Sequence, residues 1–396
     1  MIYLDHSATT PPSESALAAM TEAARVWGNP SSVHAMGREA AALLEKSRAA
    51  VAKSLGLPKF SQDKVFFTAC GTESNNIALL GCAAAKKRDP ANPGTILLSA
   101  GEHPSMENPA ALLEKQGYTV VRIPTKGGVL STDAITEALG AAKAAGSPVI
   151  FAGFMLVNNE TGALYDVKKA ASLVKAAFPD AVVHCDAVQG YMKTPFTPAG
   201  LGVDTLTVSA HKINSIRGAA SLYVSAEVLK RRNLTAVMPG GGQESGLRSG
   251  TENLVSIAAF AAAAEDGRLC FDERRRAAES LRARLDERLG RLESLGVRVN
   301  RPEGASIPHI CSVVCGRMRS ETVLNDLSGH GICVSAGSAC SAHAKKKSAA
   351  LEAFGVPADE ADSVIRVSLS HLNTADDIDA FADALETVLT TRQQKR

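Results

Sequence analysis

Short apolar runs take turns with alanine-rich stretches along the first half of the chain, and this alternation limits the fold more than any other feature. Residues 64–68, 95–99, 120–123, 149–157, 181–185 and 205–209 read as strands, and residues 74–87, 104–116, 132–145 and 167–177 between them read as helices. Strands separated by helices pair in parallel, and helices then cover both faces of the sheet. The expected class is therefore α/β with a mostly parallel central sheet. Ligands of such sheets gather at the carboxyl ends of the strands. Residues 68–72, 158–161, 186–189 and 209–212 each follow directly on a strand, so they can converge.

A chain of 396 residues exceeds what one hydrophobic core usually supports, and beyond about residue 260 the pattern changes. Residues 274–292 read as a long charged helix, 297–299 and 309–314 as strands, and 374–391 as an acidic amphipathic helix. The expectation is a large domain over residues 15–260 and a smaller α+β domain built from residues 1–14 and 261–396. A net charge of +2 and 4% aromatic residues give no case for nucleic acid or an anionic membrane as partner. The longest apolar run, 149–157, is too short to span a bilayer. The opening residues Met1 to His6 carry no secretory pattern, so a cytoplasmic protein is expected. Eight cysteines then read as free thiols, not a disulfide framework.

Ser209-Ala210-His211-Lys212 closes an apolar strand with a lysine among small and hydroxyl residues. A desolvated lysine loses its proton readily and attacks carbonyls, which suits a Schiff base, although a lone strand-end lysine can equally be a solvated rim residue. A second strand ends in Asp186, and pyridoxal phosphate needs that pair: an amine for its aldehyde and an acid for its pyridine nitrogen.

Other segments carry two readings each. Gly71 and Thr72, between a strand and a helix, suit an anion at the helix N-terminus or a plain cap. His103 can stack on an aromatic cofactor and move protons, or cap a helix. Asn158-Asn159 can bind a carboxylate or phenolic oxygen, or form a turn. Gly240 to Thr251 can cradle a phosphate or link the domains as a flexible loop. Arg366, alone in an apolar strand, offers a fork for a carboxylate or makes a structural ion pair. Cys340 lies in a run of tiny residues, so its thiol is expected to be reachable and potentially nucleophilic, whereas the other cysteines lie in or beside apolar or helical stretches. No spacing completes a metal site.

With Ser209 to Lys212 and Gly337-Ser338-Ala339-Cys340 together, the chain resembles the cysteine desulfurases of the NifS/IscS-like group, within the class V aminotransferase-like, fold-type I pyridoxal phosphate enzymes. The resemblance runs from Tyr3-Leu4-Asp5-His6 to Arg366-Val367-Ser368-Leu369. It implies pyridoxal 5'-phosphate on Lys212, with Asp186 at the pyridine nitrogen and His103 stacked on the ring as acid or base. Gln189 and Asn158 would meet the phenolic oxygen. Gly71, Thr72, Ser209 and His211 would hold the phosphate, joined by Thr251 from the other subunit of a homodimer. Arg366 with Asn158 would bind the carboxylate of L-cysteine, and Cys340 would take the sulfur as a persulfide, leaving L-alanine. The implied partners are sulfur acceptors or iron–sulfur scaffold proteins, and the resemblance allows Cys340 a passing contact with an iron–sulfur cluster. A selenocysteine lyase, a class V aminotransferase and a non-catalytic iron–sulfur assembly scaffold are the alternatives on the same fold. The chain departs from the family pattern at His6, at Gly71, at residues 213–218 and at Lys345-Lys346-Lys347.

Overall fold

The computed structural model describes residues 1–396 except 60, 62, 63, 87, 88, 90, 338–347 and 394–396. Its centre is a seven-stranded sheet of β2 (Lys64–Thr68), β3 (Thr95–Ser99), β4 (Thr119–Ile123), β5 (Val149–Met155), β6 (Val182–Asp186), β7 (Thr205–Ser209) and β8 (Ala220–Val224), in the order β2-β8-β7-β6-β5-β3-β4. Only β8 runs against the rest, pairing antiparallel with β7 and β2. Thus β2 points the same way as β7, and six carboxyl ends open on one edge.

Alternate residues of the same strand feed cores on opposite faces. Leu97, Ala152, Val183, Leu206 and Tyr223 enter one apolar cluster, whereas Ile96, Phe151, Val182 and Leu222 enter another. Burial on both faces explains why these strands read as continuous apolar runs. A third cluster holds Leu4, Leu285, Val313, Ile365 and Phe381, around a three-stranded sheet of β9 (Val297–Val299), β10 (Ile310–Cys315) and β12 (Val364–Ser368) in the order β12-β10-β9. The arm strand β1 (Ile2–Tyr3) pairs in parallel with β11 (Ile332–Cys333).

Two expectations need correcting, and one position bears on the expected division of the chain. The strand expected over 149–157 ends at Met155, and the apolar residues beyond it stay buried in a turn closed by the Val157–Leu164 bridge. Strand β8 was not anticipated; it returns directly after the Ala210–Lys212 turn without a helix between. Residue 260, the expected domain boundary, lies inside the helix Leu254–Leu269, whose Phe260 is fully buried in the first cluster. The stretch from Leu254 to Ala264 is almost wholly apolar and mostly buried, so that part of the helix belongs to the core it fills.

Candidate active site

A cavity of about 220 Å³ sits at the carboxyl edge of the central sheet. Gly71, Thr72, His103, Asp186, Gln189, Ser209, His211, Lys212 and Arg366 all line it. Neighbouring strands deliver the two central groups: β6 ends at Asp186, and β7 runs through Ser209 into the single turn that carries Lys212. Lys212 Nζ donates to the carbonyls of Ser7 (2.5 Å) and Ala8 (2.7 Å), so the N-terminal arm holds the amine over the sheet edge. Thr10 N bonds to the His211 carbonyl at 2.9 Å and secures the same arm.

Asp186 Oδ1 accepts from the Val188 amide at 3.0 Å, and Oδ2 accepts from Asn75 Nδ2 at 2.8 Å. His103 caps the helix Pro104–Glu114: its Nδ1 accepts from the Ser105 amide at 3.1 Å and lies 2.8 Å from Ser105 Oγ. Burial pulls its pKa down; the Asp186 charge opposes this and the Lys212 charge adds to it. His211 is pushed down to about 4, first by burial and then by the charges of Lys212, Arg217 and Lys193. At neutral pH its ring is therefore an uncharged hydrogen-bonding group. Lys193, buried behind Gln189, is lowered to about 7 by burial and by the nearby Lys212 and Arg366.

The helix Gly71–Lys86 starts at the cavity wall, so its unpaired N–H groups favour an anion there. A Cβ on Gly71 would come within 3.2 Å of Val188 Cγ2, closer than most packed carbons, so the bare glycine keeps this wall open. Beside it, the buried hydroxyl of Ser209 has no hydrogen-bond partner among the described residues. Helix start, orphan hydroxyl and neutral His211 fit a phosphate. Asp186 and Lys212 fit the far ends of a pyridoxal ring, so the residues present suit the group.

Two expected residues sit elsewhere, and a third falls outside the described residues. Asn158 lies behind the wall, its amide oxygen accepting from the amides of Glu160 and Thr161 (both 3.0 Å) and the Thr161 hydroxyl (3.1 Å). The turn reading describes that side chain, and Asn159 takes the place at the cavity. Thr251 is exposed, and the glycine-rich loop 240–251 lines no part of the cavity of its own chain. Cys340 lies outside the described residues. Its described flanks meet Glu160: Ser348 Oγ donates to Glu160 Oε2 at 2.6 Å, and a Cβ on Gly337 would lie 3.2 Å from the same oxygen.

Arg366 joins both of its readings. It lines the cavity, yet one guanidinium nitrogen donates to Asp5 Oδ1 at 2.9 Å and another to the Asn159 carbonyl at 2.9 Å. Its Nε is buried without a partner among the described residues. Sequence reasoning missed Asn75, which lies four residues after Gly71 on one helix, a spacing that puts both on the same face. It also missed Cys70, an exposed free thiol in the cavity wall. Among the described residues no helix is long and apolar enough to cross a membrane.

Comparison with known proteins bears on the family and the fold. The aminotransferase class-V family model matches residues 2–381. A NifS/IcsS protein homolog of Lactobacillus delbrueckii subsp. bulgaricus is 34% identical, covering 98% of this chain and 97% of its own. The cysteine desulfurase IscS of Dictyoglomus turgidum is 32% identical, over 98% and 94%. The X-ray structure of a NifS-like protein from Rickettsia africae superposes with a TM-score of 0.86 at 31% identity, covering 98% of this chain and 99% of that one.

Proposed function

The chain belongs to the aminotransferase class-V family, and from that premise we propose that it is a pyridoxal phosphate-dependent cysteine desulfurase. The reading rests above all on Lys212 and Asp186 standing on adjacent strand ends in one cavity, with the start of the helix Gly71–Lys86 beside them. Bound pyridoxal phosphate supplies an electron sink for charge developing at the substrate Cα. Lys212 would hold its aldehyde and Asp186 its pyridine N–H, with His103 against the ring. Gly71, Thr72, Ser209 and His211 would hold the phosphate, with Thr251 reaching in from a second copy of the chain. Gln189 would meet the phenolic oxygen with the amide hydrogen that it does not give to the Ser7 carbonyl.

The remaining steps fall to this chain's own groups. Arg366 receives the carboxylate of L-cysteine; the free amine of Lys212 takes the Cα proton. Cys340 as thiolate forms a bond to the substrate sulfur while the substrate C–S bond breaks. The electrons of that bond stay on the substrate carbon, which takes up a proton, and Lys212 returns the proton to Cα. Cysteine and a protein thiol thus become alanine and a protein persulfide. The sulfur then passes to an acceptor of the iron–sulfur assembly or thiolation type. We assign residues 15–260 in substance to cofactor binding, and the C-terminal part with residues 1–14 to carrying Cys340.

Borohydride reduction and peptide mapping test the premise: a pyridoxyl adduct is expected at Lys212, and Lys212→Ala should be colourless. In single turnover, Cys340→Ser should yield no protein persulfide while Cys70→Ser remains competent. The reverse pattern would move the nucleophile to Cys70.

A further inference from the structure

Six side chains form a hydrogen-bond chain behind the ring position, and its direction follows from which groups can donate. An ionised carboxylate only accepts, so the Asn75 atom 2.8 Å from Asp186 Oδ2 is its NH2 group. The same NH2 group donates to Ser105 Oγ at 2.8 Å. Asn75 Oδ1 therefore faces His184 Nε2, 3.1 Å away, and that nitrogen must carry a proton. His184 Nδ1 is then the acceptor for the Thr205 hydroxyl at 2.9 Å. Complete burial holds His184 neutral, with its pKa pushed down to about 3, which this arrangement requires.

The other branch ends at His103. Ser105 Oγ receives Asn75's proton and turns its own hydrogen to His103 Nδ1, which also accepts the Ser105 amide. Two donors aimed at Nδ1 leave the ring proton on Nε2, because the bond made by one nitrogen sets the tautomer of the other. Protonating Nδ1 would set an N–H against a backbone N–H.

Resting on the cofactor reading above, we propose that Asn75 is the positioning residue of this site: one amide group aligns Asp186 and, through Ser105, locks His103 as a neutral Nε2–H donor. His103 then meets the reaction as a hydrogen-bond donor and not as a resting base. The hub lies one helical turn inside the same helix whose start faces the phosphate cradle. Helix Gly71–Lys86 thereby ties ring and phosphate positions to one rigid element.

The test is ¹⁵N NMR of the pyridoxal phosphate-loaded enzyme with labelled histidine, His103 being identified by the signals missing from His103→Gln. Nδ1 should be unprotonated and Nε2 protonated from about pH 6 to about pH 8. An Nδ1–H tautomer, or titration to imidazolium in that window, overturns the inference. Asn75→Ala should lower kcat about 10- to 100-fold with little change in KM, and add an ionisation to the kcat pH profile. Isosteric Asn75→Asp, which lacks the two donors, should be at least as impaired; rescue by Asp would mean that Asn75 only fills space, and would overturn the proposal. Borohydride reduction of the same wild-type sample separates the two claims. An adduct at Lys212 with His103 in the other tautomer removes this inference alone; no adduct removes both.

Discussion

Glu102, one residue before His103, is a carboxyl held at the edge of ionisation. It is buried, its Oε1 accepts from the Ser99 hydroxyl and from the Met155 amide (2.6 Å), and its Oε2 has no partner among the described residues. Burial raises its pKa to about 8 from 4.5, and the charge of Asp186 pushes in the same direction. A value raised by folding means that the native state keeps a proton which the unfolded chain releases. Its contribution to stability is complete below pH 4.5 and is lost as the pH climbs through about 8. Urea unfolding of the wild type should weaken across that window. Glu102→Gln should flatten the dependence, by at most about 1.4 kcal/mol per pH unit. Equal slopes for both proteins would mean that Glu102 is already ionised when folded. With Glu102 neutral, the two neighbouring acids Glu102 and Asp186 stand in different environments. That separation of two acids was not legible in Glu102-His103-Pro104, because only packing against β3 and β5 desolvates one of them.

At the scale of elements, the loop 243–253 shows how a glycine-rich stretch becomes fixed. Glu244 is buried with its backbone at φ +49°, and Arg48 donates to both of its oxygens at 2.7 and 2.9 Å. The Phe67 amide of edge strand β2 adds a third bond at 2.8 Å, and Arg48 lies over the Phe67 ring. Downstream, Arg248 pairs with Glu73 in the first turn of the helix Gly71–Lys86. The loop carrying Thr251 is thus braced to the sheet and to the helix that opens on the cavity. Glu244→Ala strands a largely buried guanidinium and should cost about 3–5 kcal/mol in urea unfolding. Glu244→Gln keeps an acceptor for Phe67 N and should cost less; equal losses would point to the charge alone. Glycine count suggested freedom or a phosphate cradle. The outcome depends on an arginine almost two hundred residues away in sequence.

For the whole molecule, the N-terminal arm is one of the ties between the seven-stranded and the three-stranded sheet, beside the Ala163–Ser306 bridge. Its Leu4 is buried in the third cluster, and Ser368 N bonds to the Leu4 carbonyl at 2.7 Å. A few residues on, Ser7 and Ala8 hold Lys212, Ser7 also accepts from Gln189 at 2.9 Å, and Asp5 pairs with Arg366. Removing residues 1–10 would unpair a guanidinium that is only 3% exposed and release the lysine from its two carbonyls. Calorimetry of that truncation should resolve separate transitions, whereas a single one is expected of the full chain. Cofactor binding should weaken with it. One unbroken transition would mean that the clusters are coupled by other contacts.

Much of this protein could be read without coordinates. Alternating apolar runs determined the sheet class, and strand-end chemistry marked Asp186, Ser209, His211 and Lys212, because period-two burial and C-terminal strand edges are properties of neighbouring residues. Asn75, Glu102, the Asp5–Arg366 pair and the turn occupied by Asn158 were decided only in three dimensions. Their roles depend on which distant groups meet them and on how much water is excluded, quantities that long-range packing sets and no local stretch of chain contains.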